Sequence, residues 1–228
     1  MRGEVSPLAS LADSAAAGME LPASGGTGAG ARRRQDPAVE AAALAGVKKK
    51  AKNEGRTIVF IDESGLSERP HRCRTWAPRG QTPVLQYHFN WKMLSAMAGV
   101  TWWNFYFRLF PGAIRSPQII EFLSRLLRHI PGKLLIVWDG LPGHRSRMVW
   151  DFVRQQHGRL WLEFLPAYAP ELNPVEYLWS HWKQHELPNF CPTTFGQLSH
   201  HARQALRRMR KRPTLVIAFW QQADLFPM

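Results

Sequence analysis

Cys73 and Cys191 are the whole thiol content of the 228-residue chain. That excludes a disulfide framework and suits a reducing cytosol. Neither thiol sits in a Cys/His spacing that binds zinc. Acidic residues are also scarce: 17 Asp and Glu stand against 30 Lys and Arg, a formal net charge of +13. Such an imbalance points to a polyanionic partner, nucleic acid first and an anionic membrane surface second. Long apolar runs are missing. No stretch reaches the roughly 18 residues of a membrane span, and the aromatic run "TWWNFYFRLF" is short and carries Arg108. The opening "MRGEVSPLASLADSAAAGME" has no apolar core of a secretory signal. A cytoplasmic protein is expected.

Residues 1–46 contain no aromatic side chain and are rich in Ala, Gly and Ser. A segment of that kind cannot bury enough surface to offset its ordering entropy. It is expected to be a disordered tail, with at most a weak Ala-rich helix over residues 37–46. The domain is expected to span residues 47–228, with no internal repeat. There, "TIVFIDE", "PVLQYHF", "MLSAMAGVT" and "NFYFRLFPG" read as strands of a meander, separated by Gly- and Pro-rich turns. "SPQIIEFLSRLLRHI" has apolar residues at helical spacing, with Ser116 and Pro117 as N-cap and first residue. "KLLIVWDG" is a continuous apolar run, as in a strand buried on both faces. A helix closed by Gly158, the strand "LWLEFLPAY", a helix opened by Asn173-Pro174 and a basic helix over residues 194–212 follow. This order implies a mixed α/β domain whose sheet carries an antiparallel meander at one edge and is covered by helices.

Two acids stand out by position. Asp62 follows the apolar run "IVFI" and Asp139 follows "LLIVW". Both fall at the carboxyl end of an expected central strand, the edge where α/β sheets build active sites. Two such carboxylates on neighbouring strands would repel unless a cation sat between them. All-oxygen ligation suits magnesium or manganese. The bland alternative for each acid is a turn cap, and "DG" at 139–140 is a common turn pair. "PAYAPELNPVEYLWS" adds Glu171 and Glu176. Glu176 lies three residues after Asn173, as in a capping box, so a purely structural role stays open; its place in the first helical turn also lets it lean toward the strand edge.

"VFIDESG", "IVWDGLPGH" and "LPAYAPELNPVEYLWSHWK" together resemble the catalytic domain of the DDE transposases of the mariner superfamily, in its bacterial insertion-sequence branch. "RTWAPRGQTP" is similar to the family's Trp, Arg-Gly and Pro block. The resemblance covers roughly residues 47–226. It implies an RNase H-like (retroviral-integrase-like) fold and a catalytic, metal-binding triad of Asp62, Asp139 and Glu176, with two Mg²⁺ or Mn²⁺ ions. The 36 residues between Asp139 and Glu176 fit that branch. His144 and Asn173 are implied as supporting residues, with Glu63, Glu163 and Glu171 outside the triad. Strand alternation points the same way for Glu63, since neighbours in a strand face opposite sides of the sheet.

The implied activity is metal-dependent DNA cleavage and strand transfer during transposition of an insertion sequence in a bacterial cytoplasm, near the nucleoid. The implied partners are double-stranded DNA at element ends and target, and a homodimer mate. The family places a helix-turn-helix region before this domain, and residues 1–46 do not resemble one. The chain then reads as a second reading frame joined by frameshifting, as a relic, or as a domain behind a misread start. The competing functional reading is a truncated regulator that binds DNA or transposase without productive activity. A structure-selective nuclease of RNase H type matches the Asn-Pro-Val-Glu block less well.

Arg203, Arg207, Arg208, Arg210, Lys211 and Arg212, with Lys183 before them, suggest a phosphate-contacting face, the first five above all; a solvated helix face is the alternative. "VKKKAKNEGR" reads equally as an arm along DNA or a linker. His181 and His185 have the i, i+4 spacing of zinc ligands but lack a third partner in sequence. Trp179 and Trp182, three apart, read as core. There is no nucleophile elbow and no Gly-Lys-Ser/Thr phosphate loop.

Overall fold

The structure, a computed structural model, describes residues 37–87, 92–165 and 170–225. Helix α1 (Pro37–Glu54) leads into β1 (Arg56–Ser67), followed by β2 (Met93–Val100) and β3 (Phe105–Pro111). Then come α2 (Ser116–His129), β4 (Lys133–Trp138), α3 (Arg147–Arg154) and β5 (Leu160–Phe164). A 3₁₀ turn at Pro170–Leu172 precedes α4 (Pro174–His181), which widens into a π-helical turn at Trp182–Glu186. Helices α5 (Phe195–Arg210) and α6 (Pro213–Gln222) close the described chain.

The five strands form one sheet in the order β3-β2-β1-β4-β5. β1, β2 and β3 make an antiparallel meander, and β1, β4 and β5 run parallel. β4 is buried from Leu134 to Trp138, as its unbroken apolar run requires when helices cover both faces. Alternation sorts the side chains. Ile58, Phe60, Leu135 and Val137 pack with Val175, Trp179, Leu206 and Trp220 under α4, α5 and α6. Val59, Ile61, Ile136 and Trp138 pack with Ile119, Leu123 and Val149 under α2 and α3.

Several elements differ from the sequence reading. β1 does not stop at Glu63. It continues to Ser67 because β2 pairs with it as far as Ser67↔Met93. "PVLQYHF" forms no strand over residues 83–87, and its last two residues lie outside the described ones. Both edges of β1 are taken by β2 and β4, the segment pairs with neither outer edge of the sheet, and Val84 is 80% exposed. The meander therefore has three strands.

α1 runs unbroken through residue 46, the expected boundary, and Leu44 already joins the core. "VKKKAKNEGR" is thus mostly helix. Residues 1–36 of the expected tail lie outside the described residues. Ser116 is the first helical residue of α2, with Arg115 as N-cap; its hydroxyl bonds Ser146 Oγ, the N-cap of α3, at 2.8 Å. α3 ends at Arg154, ahead of Gly158. Helix α6 was not anticipated; Val216, Phe219 and Trp220 form its buried stripe.

Candidate active site

The register of the sheet builds the site. The parallel ladder of β1 with β4 ends at Phe60↔Val137. Asp62 and Asp139 each lie two residues past that pair, so the register directs both to the same end of the sheet, near enough that the charge of Asp139 raises Asp62. Asp62 lies inside β1, opposite Ala98 of β2; only relative to β4 is it past the end of a strand. The sequence expectation of a strand-end acid is corrected to that extent.

Helix α4 caps this face. Its N-cap is Asn173, whose Oδ1 accepts from Val175 N at 3.1 Å and whose Nδ2 donates to Ile61 O at 3.5 Å. One buried side chain thereby starts the helix and pins it to β1. Pro174 fills the first helical position, where no N–H is needed. Glu176 sits in the first turn. Among the described residues its carboxylate makes no capping-box bond back to Asn173 N–H, so the purely structural reading of Glu176 loses its ground. One turn on, Trp179 Nε1 donates to Asp62 Oδ2 at 2.9 Å. Trp179 is core, as its spacing with Trp182 suggested, but it also holds a site acid. Nothing in the sequence separates that role from packing.

The electrostatics are those of crowded negative charge. Asp62 is 9% exposed, and burial, then the nearby Glu176, raise its carboxyl from 3.8 to about 7 despite the Glu63 amide and Trp179. Asp139 raises it further. Glu176 is also pushed up, by burial first, with Lys183 opposing and Asp139 adding. Asp62 and Glu176 form no ion pair with Lys or Arg among the described residues. Asp139 behaves differently. Burial alone would raise it, but the hydrogen bond and charge of His144, with the Leu141 amide, outweigh that and hold it low.

His144 is the counter-charge. It is buried at 1% exposure and its ring stacks on Trp138, centroids 4.2 Å apart and planes within 6°. Nδ1 lies 2.6 Å from Asp139 Oδ1, and Nε2 lies 3.3 Å from Glu63 Oε1. Burial works against its charge, but bonds to Asp139 and Glu63 raise it to about 9. The imidazolium therefore donates from both nitrogens.

Asp62, Asp139 and Glu176 thus share one electrostatic site. Among the described residues no three His, Cys, Asp or Glu side chains converge into a ready-made cage. The donor set still fits a hard divalent cation: oxygen ligands only, with a buried carboxylate whose charge no protein cation meets. Asp139 has one oxygen held by donors of the fold and one spare, while Asp62 accepts from Trp179 Nε1 at Oδ2 and from the Glu63 amide.

The other sequence candidates are placed as follows. Glu63 points to the opposite face from Asp62 and meets His144, as alternation required. Glu163 pairs with Lys50 at 2.7 Å. Glu171 is in the 3₁₀ turn. His181 and His185 have ring centroids 4.8 Å apart, with no third ligand gathered around them among the described residues. The basic residues share α5 and its end. Glu186 holds Arg208 at 2.8 Å and Arg212 at 3.4 Å. Arg210 lies 5.8 Å over the Phe107 ring. Arg203, Arg207 and Lys211 have no recorded ion-pair partner among the described residues.

A five-stranded mixed sheet of this order with helices on both faces is an RNase H-like fold. A family model for the DDE superfamily endonuclease matches residues 57–194. The chain belongs to that family, whose members use divalent metal ions. Solved structures agree in fold. The Mos1 strand transfer complex is 16% identical, with a TM-score of 0.53, covering 91% of this chain and 68% of that one. The mariner Mos1 paired-end complex with Mg is 17% identical, with a TM-score of 0.57, covering 91% and 64%. The catalytic domain of Mos1 mariner transposase is 15% identical, with a TM-score of 0.50, covering 85% and 98%. Curated protein sequences yield no match.

Proposed function

We propose that the chain is the catalytic domain of an insertion-sequence transposase that cuts double-stranded DNA at element ends and joins the freed 3′ hydroxyl to a target. The observation that carries this reading is the register that directs Asp62 and Asp139 to the same end of the sheet, with Glu176 brought to them on the Asn173-capped helix. Asp62, Asp139 and Glu176 would hold two Mg²⁺ or Mn²⁺ ions. When bound, such ions activate a water for attack on the phosphodiester and stabilise the leaving 3′ oxygen.

The protein's own part is positional and electrostatic. Trp179 fixes Oδ2 of Asp62 and so orients its carboxylate. His144 and the Leu141 amide do the same for Asp139 Oδ1. Asn173 sets the height of Glu176 against β1. Arg203, Arg207 and Lys211 are the basic residues best placed to meet phosphate, since Arg208 and Arg210 are already engaged within the chain. The charge of +13 supports a duplex partner.

Solved relatives of the same fold are named as a strand transfer complex and paired-end complexes. By analogy, end recognition would come from a helix-turn-helix region and synapsis from a second copy, in a bacterial cytoplasm where the nucleoid lies. Among the described residues no helix is long and apolar enough to cross a membrane.

The test is nicking of supercoiled plasmid with Mg²⁺ or Mn²⁺, beside Asp139→Ala and Glu176→Gln. Metal-dependent nicking that both variants lose is the expected result. Duplex binding without nicking in either metal would instead favour a non-cleaving regulator.

A further inference from the structure

Resting on the reading of Asp139 as a metal ligand, we infer that Glu63 is a positioning residue for that ligand, acting through His144, and that it makes Asp139 a one-oxygen ligand. Asp139 lies beyond the end of β4, where no ladder holds it, and its side chain is 42% exposed. Left alone, its carboxylate would turn freely and could offer both oxygens to a cation. In the structure Oδ1 is taken twice, by His144 Nδ1 at 2.6 Å and by Leu141 N at 3.2 Å. Only Oδ2 remains.

His144 can hold that oxygen only if its own ring is held. Stacking on Trp138 sets the plane of the ring and Nδ1 also lies 3.2 Å from Asp139 O, but a small swing about the Cα–Cβ bond can still slide the ring over Trp138. The second nitrogen stops that swing: Nε2 meets Glu63 Oε1 at 3.3 Å. Glu63 stands on a stretch of β1 paired with Met97 of β2, so its backbone is rigid. Without Glu63, a buried ring N–H would lose its partner, and the ring would turn or move to find another. Adjacent residues of one strand thus serve the same site from opposite faces. Asp62 points to the metal side, and Glu63 reaches round the end of β4 to orient the acid of the neighbouring strand.

The consequence is metal selection. A one-oxygen Asp suits the small six-coordinate shells of Mg²⁺ and Mn²⁺, whereas Ca²⁺ accepts two-oxygen carboxylates in larger shells. Outer partners of metal ligands commonly change affinity by 10–100-fold when removed.

The test is calorimetric titration of Mn²⁺ and of Ca²⁺ into the metal-free protein, with thermal unfolding of each variant alongside. Glu63→Ala should weaken Mn²⁺ binding by about 10–100-fold and narrow the Mn²⁺/Ca²⁺ preference. Glu63→Gln should stay within a few-fold of wild type, because its Oε1 still accepts from Nε2–H. A role in folding alone would lower the Tm of Glu63→Ala without moving the metal preference. The inference is overturned if Glu63→Ala binds both ions as wild type does while Asp139→Asn loses them. Should Asp139→Asn bind Mn²⁺ as wild type does, the ligand reading itself falls, and this inference with it. If Glu63→Ala does not fold, Glu63→Asp, too short to reach Nε2, is expected to show the same loss, and wild-type binding by it refutes the inference.

Discussion

Replacing Asp62 by Asn should stabilise the metal-free protein at neutral and higher pH while abolishing metal-dependent cleavage. The fold holds the Asp62 carboxyl at about 7, against an ordinary value of 3.8. Between those values the folded chain binds a proton that the unfolded chain has released, so stability falls as pH rises through that window. At 1.36 kcal/mol per pH unit, the whole penalty is roughly 4 kcal/mol. The part accumulated between pH 5 and pH 8 is about 3 kcal/mol. Asn cannot ionise. Its amide will lose a bond, since Trp179 Nε1 and the Glu63 amide both donate to Asp62 and Asn has one acceptor oxygen there. That loss of about 1 kcal/mol does not depend on pH.

The decisive quantity is therefore the stability difference between Asp62→Asn and wild type as a function of pH. Urea unfolding should show it growing in favour of the variant by up to about 3 kcal/mol from pH 5 to pH 8. In thermal scans this corresponds to roughly 5–10 °C for a domain near 190 residues. His144, raised to about 9, also makes stability fall with rising pH, from its ordinary 6.5 up through 9. That trend is common to both proteins and cancels in the difference. Mg²⁺ at pH 8 should recover much of the wild-type deficit and do little for the variant. A difference that is flat between pH 5 and pH 8, or that reverses, would refute the claim that Asp62 carries uncompensated charge.

Trp179→Phe keeps most of the packing but removes the donor to Asp62; urea unfolding at pH 8 should show a loss of about 1.5–3 kcal/mol, shrinking at pH 5 where Asp62 is protonated. Asn173→Ala removes the cap of α4 and its tie to Ile61, so stability should fall by about 1–2 kcal/mol, and nicking by a larger factor than stability explains, because Glu176 loses its fixed height. Replacing Arg203, Arg207 and Lys211 together by Ala should lower the salt slope of duplex binding by about 2.7, read by fluorescence anisotropy from 50 to 200 mM salt. An unchanged slope would move the DNA face elsewhere. Arg208→Ala alone should instead lower stability, by leaving the largely buried Glu186 with the longer Arg212 contact alone.

Much of the site was legible because its signals are local. Apolar runs before Asp62 and Asp139 mark buried strands, and alternation alone sends Glu63 away from Asp62. Asn173-Pro174 marks a helix start within a few residues. The amphipathic spacing of α2 survives in the structure almost unchanged, shifted by one residue at its cap. The misreadings share a cause: they concern which segments find partners. "PVLQYHF" has the composition of a strand, but it docks on neither open edge of the sheet, β3 or β5. "SGLS" has the composition of a turn, yet β2 draws it into a ladder.

The chain's own order of residues determined the basic surplus, the three acids and the local structure that carries each one. Only the tertiary structure decided that the Phe60↔Val137 register brings Asp62 and Asp139 to the same end of the sheet. It alone gave Trp179 a bond to Asp62 across 117 positions and His144 a contact with Glu63 across 81. Short-range patterning arises from steric and hydrophobic preferences within a few residues. Contacts between distant residues arise from strand register and helix docking, which are settled by the packing of the whole core.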